Sequence, residues 1–238
     1  MTAIEEHGVS AIDIRLGSGD VIVTPSDGGV LGEVDADAFV ENRRGLLTIT
    51  TRQRGARINL AVPAGCSLNV AARTADVRVT AELSQVRVSS GTGDIAVAAA
   101  GSADLRGGSG DIDVGRVDAA RIRTGSGDVR IEDAGHDCDI ATGSGDIVAN
   151  HLHGHLSARS GSGDTFVKEL GAGRFQVRSG SGDVQVGVTE GLPVWLDLRS
   201  ATGDVESGLD AGSEPEPGSP YAVIRAITGN GDITVRRV

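Results

Sequence analysis

The sequence predicts an all-β protein that folds as a β-solenoid, in which the chain winds through successive coils. Three observations lead to this prediction. A Gly-Asp turn recurs at a nearly fixed spacing, apolar and polar residues alternate on both sides of it, and β-branched residues dominate the apolar positions. Together they predict about ten coils of about 18 residues, with two short strands in each coil and a β cap at the N-terminus.

The recurring turn is clearest in residues 123–131, which read RTGSGDVRI. Copies that end in Gly-Asp place their aspartates at Asp20, Asp94, Asp111, Asp128, Asp146, Asp164, Asp183, Asp204 and Asp232, and Asp76 ends a degenerate copy. From Asp76 onward, successive aspartates are 18, 17, 17, 18, 18, 19, 21 and 28 residues apart. A period of this size indicates an array that grows by adding units rather than by enlarging one core.

The apolar positions form columns when the copies are aligned on their aspartates. Residues eight and six before the aspartate, and one and three after it, are apolar throughout, with the exceptions of Thr165 and Ser207. Residues two apart on a strand face the same side, so each copy supplies two short strands with one inward face each. An antiparallel meander also fits this alternation, but some twenty strands would not stay flat in one sheet. We therefore favour parallel stacking of equivalent strands, ~4.8 Å apart.

The organisation along the chain is a single solenoid domain over residues 1–238. Residues 9–66 hold a first unit and the cap, with strands predicted at 46–50 and 58–62, and residues 67–206 hold the regular repeats. A Pro, Gly and Glu-rich segment at 207–220 predicts a mobile loop before the last coil at 221–238. That last coil has no evident cap, so its strand edges are expected to invite end-to-end association.

Composition excludes several classes of partner. The net charge of −11 disfavours binding to nucleic acid or anionic lipid, and aromatic residues make up only 2% of the chain. The first residues lack the pattern of a signal peptide, and no stretch is apolar enough to insert in a membrane, so we expect a cytoplasmic protein. The two cysteines, Cys66 and Cys138, are compatible with a reducing compartment.

Three motifs resemble those of one known family. Residues 62–65 read VPAG, the Gly-Ser-Gly-Asp-[Val/Ile]-x-Val turn is repeated, and the chain closes with GDITVRR. Together they resemble a bacterial β-strand-repeat family of unknown function that is labelled "putative adhesin". The resemblance covers nearly the whole chain and implies a β-solenoid-like fold, without naming a catalytic residue.

The aspartates are the first candidate site. Stacking would place like charges ~4.8 Å apart, where they repel by ~0.9 kcal/mol in water, so each carboxylate needs a compensating partner. We expect them to form a structural ladder that accepts backbone N–H groups in the glycine turns, assisted by arginines five residues earlier. A row of calcium sites is the alternative, with Asp94, Asp111, Asp128, Asp146, Asp164 and Asp183 as weak candidate ligands. The spacing of 18 rather than nine residues favours the structural ladder.

Other candidate residues carry weaker signals. His151, His153 and His155 alternate along the chain and could bind zinc, but they fall in the looser turn and are expected to be solvated. Cys138 occupies an inward column and is expected to be a core residue. Trp195 and Phe166 occupy outward positions and are candidates for a contact surface.

Catalytic signatures are missing from the sequence, and no cofactor is predicted. We therefore expect a non-enzymatic scaffold or interaction module that binds a protein partner, or itself, through sheet faces or coil ends. The alternatives are a carbohydrate-binding adhesin, a glycan-active β-helix enzyme and a calcium-stabilised repeat protein.

Overall fold

The computed structural model describes residues 2–209 and 218–238, which contain seventeen strands and no helix. Most of the predicted mobile loop at 207–220 lies outside the described residues. The chain divides into two compact units, residues 1–117 and 118–238. With no helix among the described residues, none is present there that could cross a membrane.

Unit 1 contains eight complete strands and the start of a ninth. They are β1 (Thr2–Glu6), β2 (Ala11–Ser26), β3 (Val30–Val34), β4 (Ala38–Arg43), β5 (Leu46–Thr51), β6 (Ala56–Pro63), β7 (Ser67–Thr92), β8 (Ile95–Ser109) and β9 (Ile112–Ser126). The boundary between the units falls within β9.

Unit 2 contains the remaining strands. They are β10 (Val129–Ser144), β11 (Ile147–Ser162), β12 (Thr165–Ser181), β13 (Val184–Val188), β14 (Val194–Thr202), β15 (Val205–Ser207), β16 (Ala222–Asn230) and β17 (Ile233–Arg237).

Parallel pairing between repeats confirms the predicted β-solenoid. In unit 1, β7 pairs in parallel with β2 and β8, and in unit 2, β11 pairs in parallel with β10 and β12. The register aligns equivalent positions, since Ile147 lies opposite both Val129 and Thr165. In β8 to β12 the two predicted strands of a coil form one paired segment, which continues through the looser bend and ends at the Gly-Asp turn.

The four apolar columns form the core of each unit. Every member of these columns is buried except four, and all four lie in the coil formed by β14 and β15. These exceptions are Leu196 and Leu198, which are half-buried, and Val205 and Ser207, which are exposed. That coil therefore forms the end of the core in unit 2.

The order of coils in unit 1 departs from the order along the chain. Strands β5 and β6 form a coil that pairs in parallel with β2, and β2 in turn pairs with β7. The coil of β5 and β6 is therefore outermost, and β2 lies inside it. Antiparallel strands β3 and β4 pair with β6 and β5, and β1 pairs with β3, so Leu47 and Ile58 remain buried.

Unit 2 shows the same exchange at the other end of the sequence. Strand β16 pairs with β12 on one side and β14 on the other, and β17 lies between β13 and β15. The prediction that the coil at 221–238 is an uncapped end is therefore wrong. This coil is held by pairing on both sides, and the coil before it in sequence is outermost.

Candidate functional site

The Gly-Asp turn needs glycine for two reasons. Gly163 has a φ of 123°, in a region that L side chains rarely adopt. A Cβ atom at this position would lie 2.3 Å from the carbonyl oxygen of Gly145 in the preceding coil. At Gly163, therefore, a side chain would prevent the two turns from stacking at the spacing of a parallel sheet.

The aspartates form a hydrogen-bonded ladder, called the aspartate ladder below. Asp146 Oδ1 accepts the backbone N–H of Asp164 at 2.8 Å, and Asp164 Oδ1 accepts that of Asp183 at 2.8 Å. In unit 2 the bonds run from Asp128 through Asp146, Asp164, Asp183 and Asp232 to Asp204, and in unit 1 from Asp76 through Asp94 to Asp111. Each accepting carboxylate in these series takes its N–H group from the neighbouring coil rather than from its own turn.

The arginines five residues before the turn aspartates were expected to pair with them. The ion pairs seen for these arginines are with other aspartates, so the expectation is wrong for those arginines. Arg15 and Arg199 bind Asp13 and Asp197, two residues before them. Side chains two apart share one face of a strand, whereas the turn carries the ladder aspartate away from that face. Turn aspartates do bind other guanidinium groups: Arg130 donates to Asp128 Oδ2 at 2.8 Å, and Arg57 Nε lies 3.6 Å from Asp20 Oδ2.

A column of buried hydroxyls supports the turn from inside. Ser160 and Ser179 are buried, and each donates to the carbonyl oxygen two residues later at 2.9 Å. Thr228 donates to both Asn230 O and Gly182 O at 3.1 Å. Sequence reasoning considered the exposed hydroxyls two residues before the aspartate and missed this column four residues before it. The recurrence of Ser or Thr at that offset was the available signal.

The described residues contain no preformed cluster of ligands that would support calcium binding. Asp20, Asp76 and Asp94 border a shallow groove of about 250 Å³ in unit 1. Among residues 2–209 and 218–238, no group of three or more His, Cys, Asp or Glu side chains is arranged to hold a metal ion. One oxygen of Asp76 and of Asp94 is already engaged by a backbone N–H group.

The three histidines lie in β11 but have different surroundings. His151 Nδ1 is 3.3 Å from Glu132 O, and its Nε2 is 3.7 Å from a Glu169 carboxylate oxygen. His153 is exposed, and His155 aligns with Arg174 in the next coil. Gly154 has a φ of 98°, outside the extended range of a strand, so the regular alternation that a shared zinc site would need is interrupted between His153 and His155.

Both cysteine thiols are buried and free. Burial raises the pKa of Cys138 to about 11, a backbone hydrogen bond with Ala120 opposes the shift, and the charge of Asp137 adds to it. Burial also raises the pKa of Cys66, whose Sγ donates to Val9 O at 3.4 Å. A protonated, buried thiol is a poor nucleophile, which fits the predicted core role of Cys138.

The outer side of β14 and β15, called the terminal edge below, is the most distinctive surface of unit 2. Ile233 N–H donates to Asp204 O, and Ala222 N–H donates to Pro193 O, so inward-facing residues direct their N–H groups toward the next coil. By the same alternation, the N–H groups of Leu196, Leu198 and Val205 face outward. No strand within the described ranges pairs with this side.

Two exposed aromatic side chains accompany the terminal edge. Trp195 in β14 is 53% exposed and Tyr221, just before β16, is 48% exposed. In the same strand as Trp195, Asp197 accepts bonds at 2.9 Å from both Arg199 and Arg225. The outward position predicted for Trp195 is therefore confirmed, whereas Phe166 is only half-exposed.

Parallel coils joined by a ladder of turn aspartates define the chain as a β-solenoid repeat protein. It belongs to the family described as Toastrack DUF4097, whose model matches residues 9–236. This membership agrees with the family resemblance seen in the sequence.

Several solved structures are similar to this chain. One is a "putative adhesin" from Parabacteroides distasonis ATCC 8503, with 15% identity, a TM-score of 0.45, and coverage of 100% of this chain and 95% of that chain. Another is a "putative adhesin" from Bacteroides fragilis NCTC 9343, with 12% identity, a TM-score of 0.41, and coverage of 97% and 92%. Among curated proteins, none matches the chain.

Proposed function

We propose that this protein is a non-enzymatic interaction module, and that it pairs with a second copy of itself through the terminal edge. The main observation behind this proposal is that the apolar columns are partly exposed in the coil of β14 and β15. Val205 is 46% exposed, whereas Ile233, its neighbour in the same column, is fully buried. Covering such apolar surface is favourable by roughly 25 cal/mol per Å².

The backbone of the terminal edge supports pairing with an added strand. The outward N–H groups of Leu196, Leu198 and Val205 belong to the residues whose side chains are incompletely covered. A strand laid along β14 would accept the hydrogen bonds of Leu196 and Leu198 and would extend the core at the same time. Strand addition of this kind is an established mode of protein recognition.

Charge supports a second copy as the occupant. In an antiparallel pair of β14 strands centred on Leu198, Asp197 of each copy lies opposite Arg199 of the other. Registers centred on Asp197 or on Arg199 would instead place like charges opposite each other, which is destabilising. The strand is therefore complementary to itself in one register, as an isologous twofold contact requires.

The covered end of unit 1 favours a closed dimer over a fibre. Strands β3 and β4 pair in antiparallel fashion with the outermost coil there, and Val30 and Val34 are fully buried. Head-to-tail growth would need a second bare core end on each copy. The isologous contact uses only the terminal edge.

The site chemistry supports a role without catalysis. Catalysis requires unlike groups that converge on one reacting atom, such as a nucleophile, a base and an oxyanion donor. The aspartate ladder repeats a single group in a single setting along each unit. This repetition is explained by the folding of the turns.

Sedimentation equilibrium over a wide range of protein concentration tests the proposal. We expect a reversible dimer for the natural chain and a monomer for Val205→Lys, which places a charge on the terminal edge. Gln185→Lys is the matched control, because it adds the same charge at an exposed position of an inner coil and should still dimerise. Circular dichroism checks that both variants are folded. A natural chain that stays monomeric, or a Val205→Lys variant that still dimerises, contradicts the proposal.

A further inference from the structure

A second feature of unit 2 is a groove of about 490 Å³ on the outer face of the sheet that contains β12, β13 and β17. Its lining includes Phe166, Lys168, Gly187, Arg236 and Val238. We call it the β13 groove. Its volume falls within the roughly 300–1,000 Å³ that is typical of small-molecule sites.

Gly187 lies buried in the lining of the groove, where there is no room for a side chain. This glycine is an outward position of β13, and it aligns with Arg236 of β17 on one side. On the other side, a Cβ atom at Gly187 would lie 2.0 Å from the carbonyl oxygen of Lys168. The same Cβ atom would be 2.9 Å from Val238 Cγ1. Glycine therefore lets the backbone of β12 and the side chain of Val238 pack closely against β13, which lies between two strands that both carry cations.

The walls of the β13 groove combine apolar and cationic groups. Phe166 and Val238 supply apolar surface, and Lys168 and Arg236 are exposed. Neither cation forms an ion pair with any residue in the described ranges. Two unpaired cations beside one groove are notable in a chain whose net charge is −11.

The single acidic side chain of the lining is engaged elsewhere. Glu169 lies 3.7 Å from His151 Nε2 through one carboxylate oxygen. Its other oxygen accepts a hydrogen bond from Thr189 Oγ1 at 3.4 Å. Its charge is therefore directed toward those partners, while the charges of Lys168 and Arg236 remain available to a ligand.

We propose that the β13 groove binds a small organic carboxylate with an apolar body. The apolar body lies between Phe166 and Val238, and the carboxylate lies beside Lys168 and Arg236. The planar guanidinium of arginine can bind both oxygens of a carboxylate, and lysine adds a second positive charge. This site lies on an outward sheet face and does not depend on pairing through the terminal edge.

Isothermal titration with sodium octanoate tests the site directly. We expect saturable binding of octanoate. Octan-1-ol and acetate should each bind at least about tenfold more weakly, which corresponds to ~1.4 kcal/mol for the lost carboxylate or the lost apolar body. Octan-1-ol lacks the charge, and acetate lacks the apolar body. Equal binding of octanoate and octan-1-ol, or no binding of octanoate, overturns the proposal.

Charge-removing variants locate the binding. Lys168→Met and Arg236→Met keep an apolar stem and should each weaken octanoate binding by about tenfold. Arg178→Met is the matched control, because Arg178 is an exposed arginine outside the lining and its loss should not change binding. Unchanged affinity in both groove variants overturns the proposal. Octanoate binding by Val205→Lys should equal that of the natural chain, so failure of this site and failure of self-pairing are separate results.

Discussion

Asp164 Oδ1 accepts the backbone N–H of Asp183 at 2.8 Å, and this bond joins two successive coils at their turns. It satisfies the N–H group that the Gly-Asp turn leaves without a strand partner. A charged acceptor also gives a stronger hydrogen bond than a neutral one, which offsets the repulsion between neighbouring carboxylates. The turn aspartates are thus explained by coil stacking.

Removing one acceptor from the aspartate ladder should destabilise unit 2. We expect Asp164→Ala to lower the free energy of unfolding by about 1.5–3 kcal/mol, because the N–H of Asp183 loses a charged partner. Asp164→Asn keeps an acceptor oxygen and should cost less. Urea unfolding measures both variants, with Glu190→Ala as an exposed acidic control. If Asp164→Ala unfolds like this control, the ladder does not contribute to stability.

The turn glycines should tolerate no side chain. Gly163→Ala combines a strained φ with a close approach to Gly145 O, so we expect a loss of more than about 2 kcal/mol in unfolding free energy. Gly17→Ala is the control, since nothing lies within 4 Å of a Cβ atom there and its φ is not in the strained range. Thermal unfolding should therefore separate the two variants. Equal midpoints would show that the turns can shift to accept a methyl group.

Thr165 is a polar residue in an apolar column. It is 1% exposed, and its Oγ1 has no hydrogen-bond partner among the described residues. Thr165→Val should therefore stabilise the protein by about 1 kcal/mol, because an unsatisfied hydroxyl is replaced by a methyl group of similar size.

The same substitution at Thr228 should change the free energy of unfolding in the opposite direction. Thr228 is also 1% exposed, but its hydroxyl donates to Gly182 O and Asn230 O. Thr228→Val should therefore destabilise by about 1–2 kcal/mol. Urea unfolding of both variants checks the pair of signs. If both changes stabilise the protein, the hydroxyl column does not support the turns.

Cys138 should make stability fall at alkaline pH. Its folded pKa of about 11 lies above the ordinary value of 9.0, so above pH 9.0 the unfolded thiol loses its proton before the folded one does. The stability that this thiol contributes is complete below pH 9.0 and is lost as pH rises toward about 11, by roughly 3 kcal/mol. Unfolding free energies of the natural chain and Cys138→Ala across this range should converge. If the unfolding free energies of the two proteins change in parallel with pH, the raised pKa of Cys138 is contradicted.

The repeat architecture could be predicted because the same residue types recur at the same offsets. Val129, Ile147 and Val184 lie in one column in the sequence, and the structure stacks their positions in register. The existence of the aspartate ladder could be predicted, since a closely stacked row of like charges requires compensating partners. The coil that supplies each N–H group could not be predicted from the sequence, because this depends on the stacking distance between coils.

The order of coils at the ends was beyond sequence reasoning. Identical columns allow any coil to stack on any other, so nothing in the pattern distinguishes β16 from β14 as the outermost strand. The β13 groove was equally hidden, because only the pairing of β13 with β12 and β17 brings Lys168 and Arg236 to the same groove.

The sequence by itself determined the coil, its inward columns and its glycine turn, because these follow from local alternation and backbone geometry. The tertiary structure alone decided that β2, and the coil of β16 and β17, lie inside the outermost coils. The physical reason is that pairing on both sides satisfies both edges of a strand, and identical columns allow any coil to take an inner position. Long-range pairing, which leaves no trace in a repeat, therefore placed the terminal edge at β14 and β15.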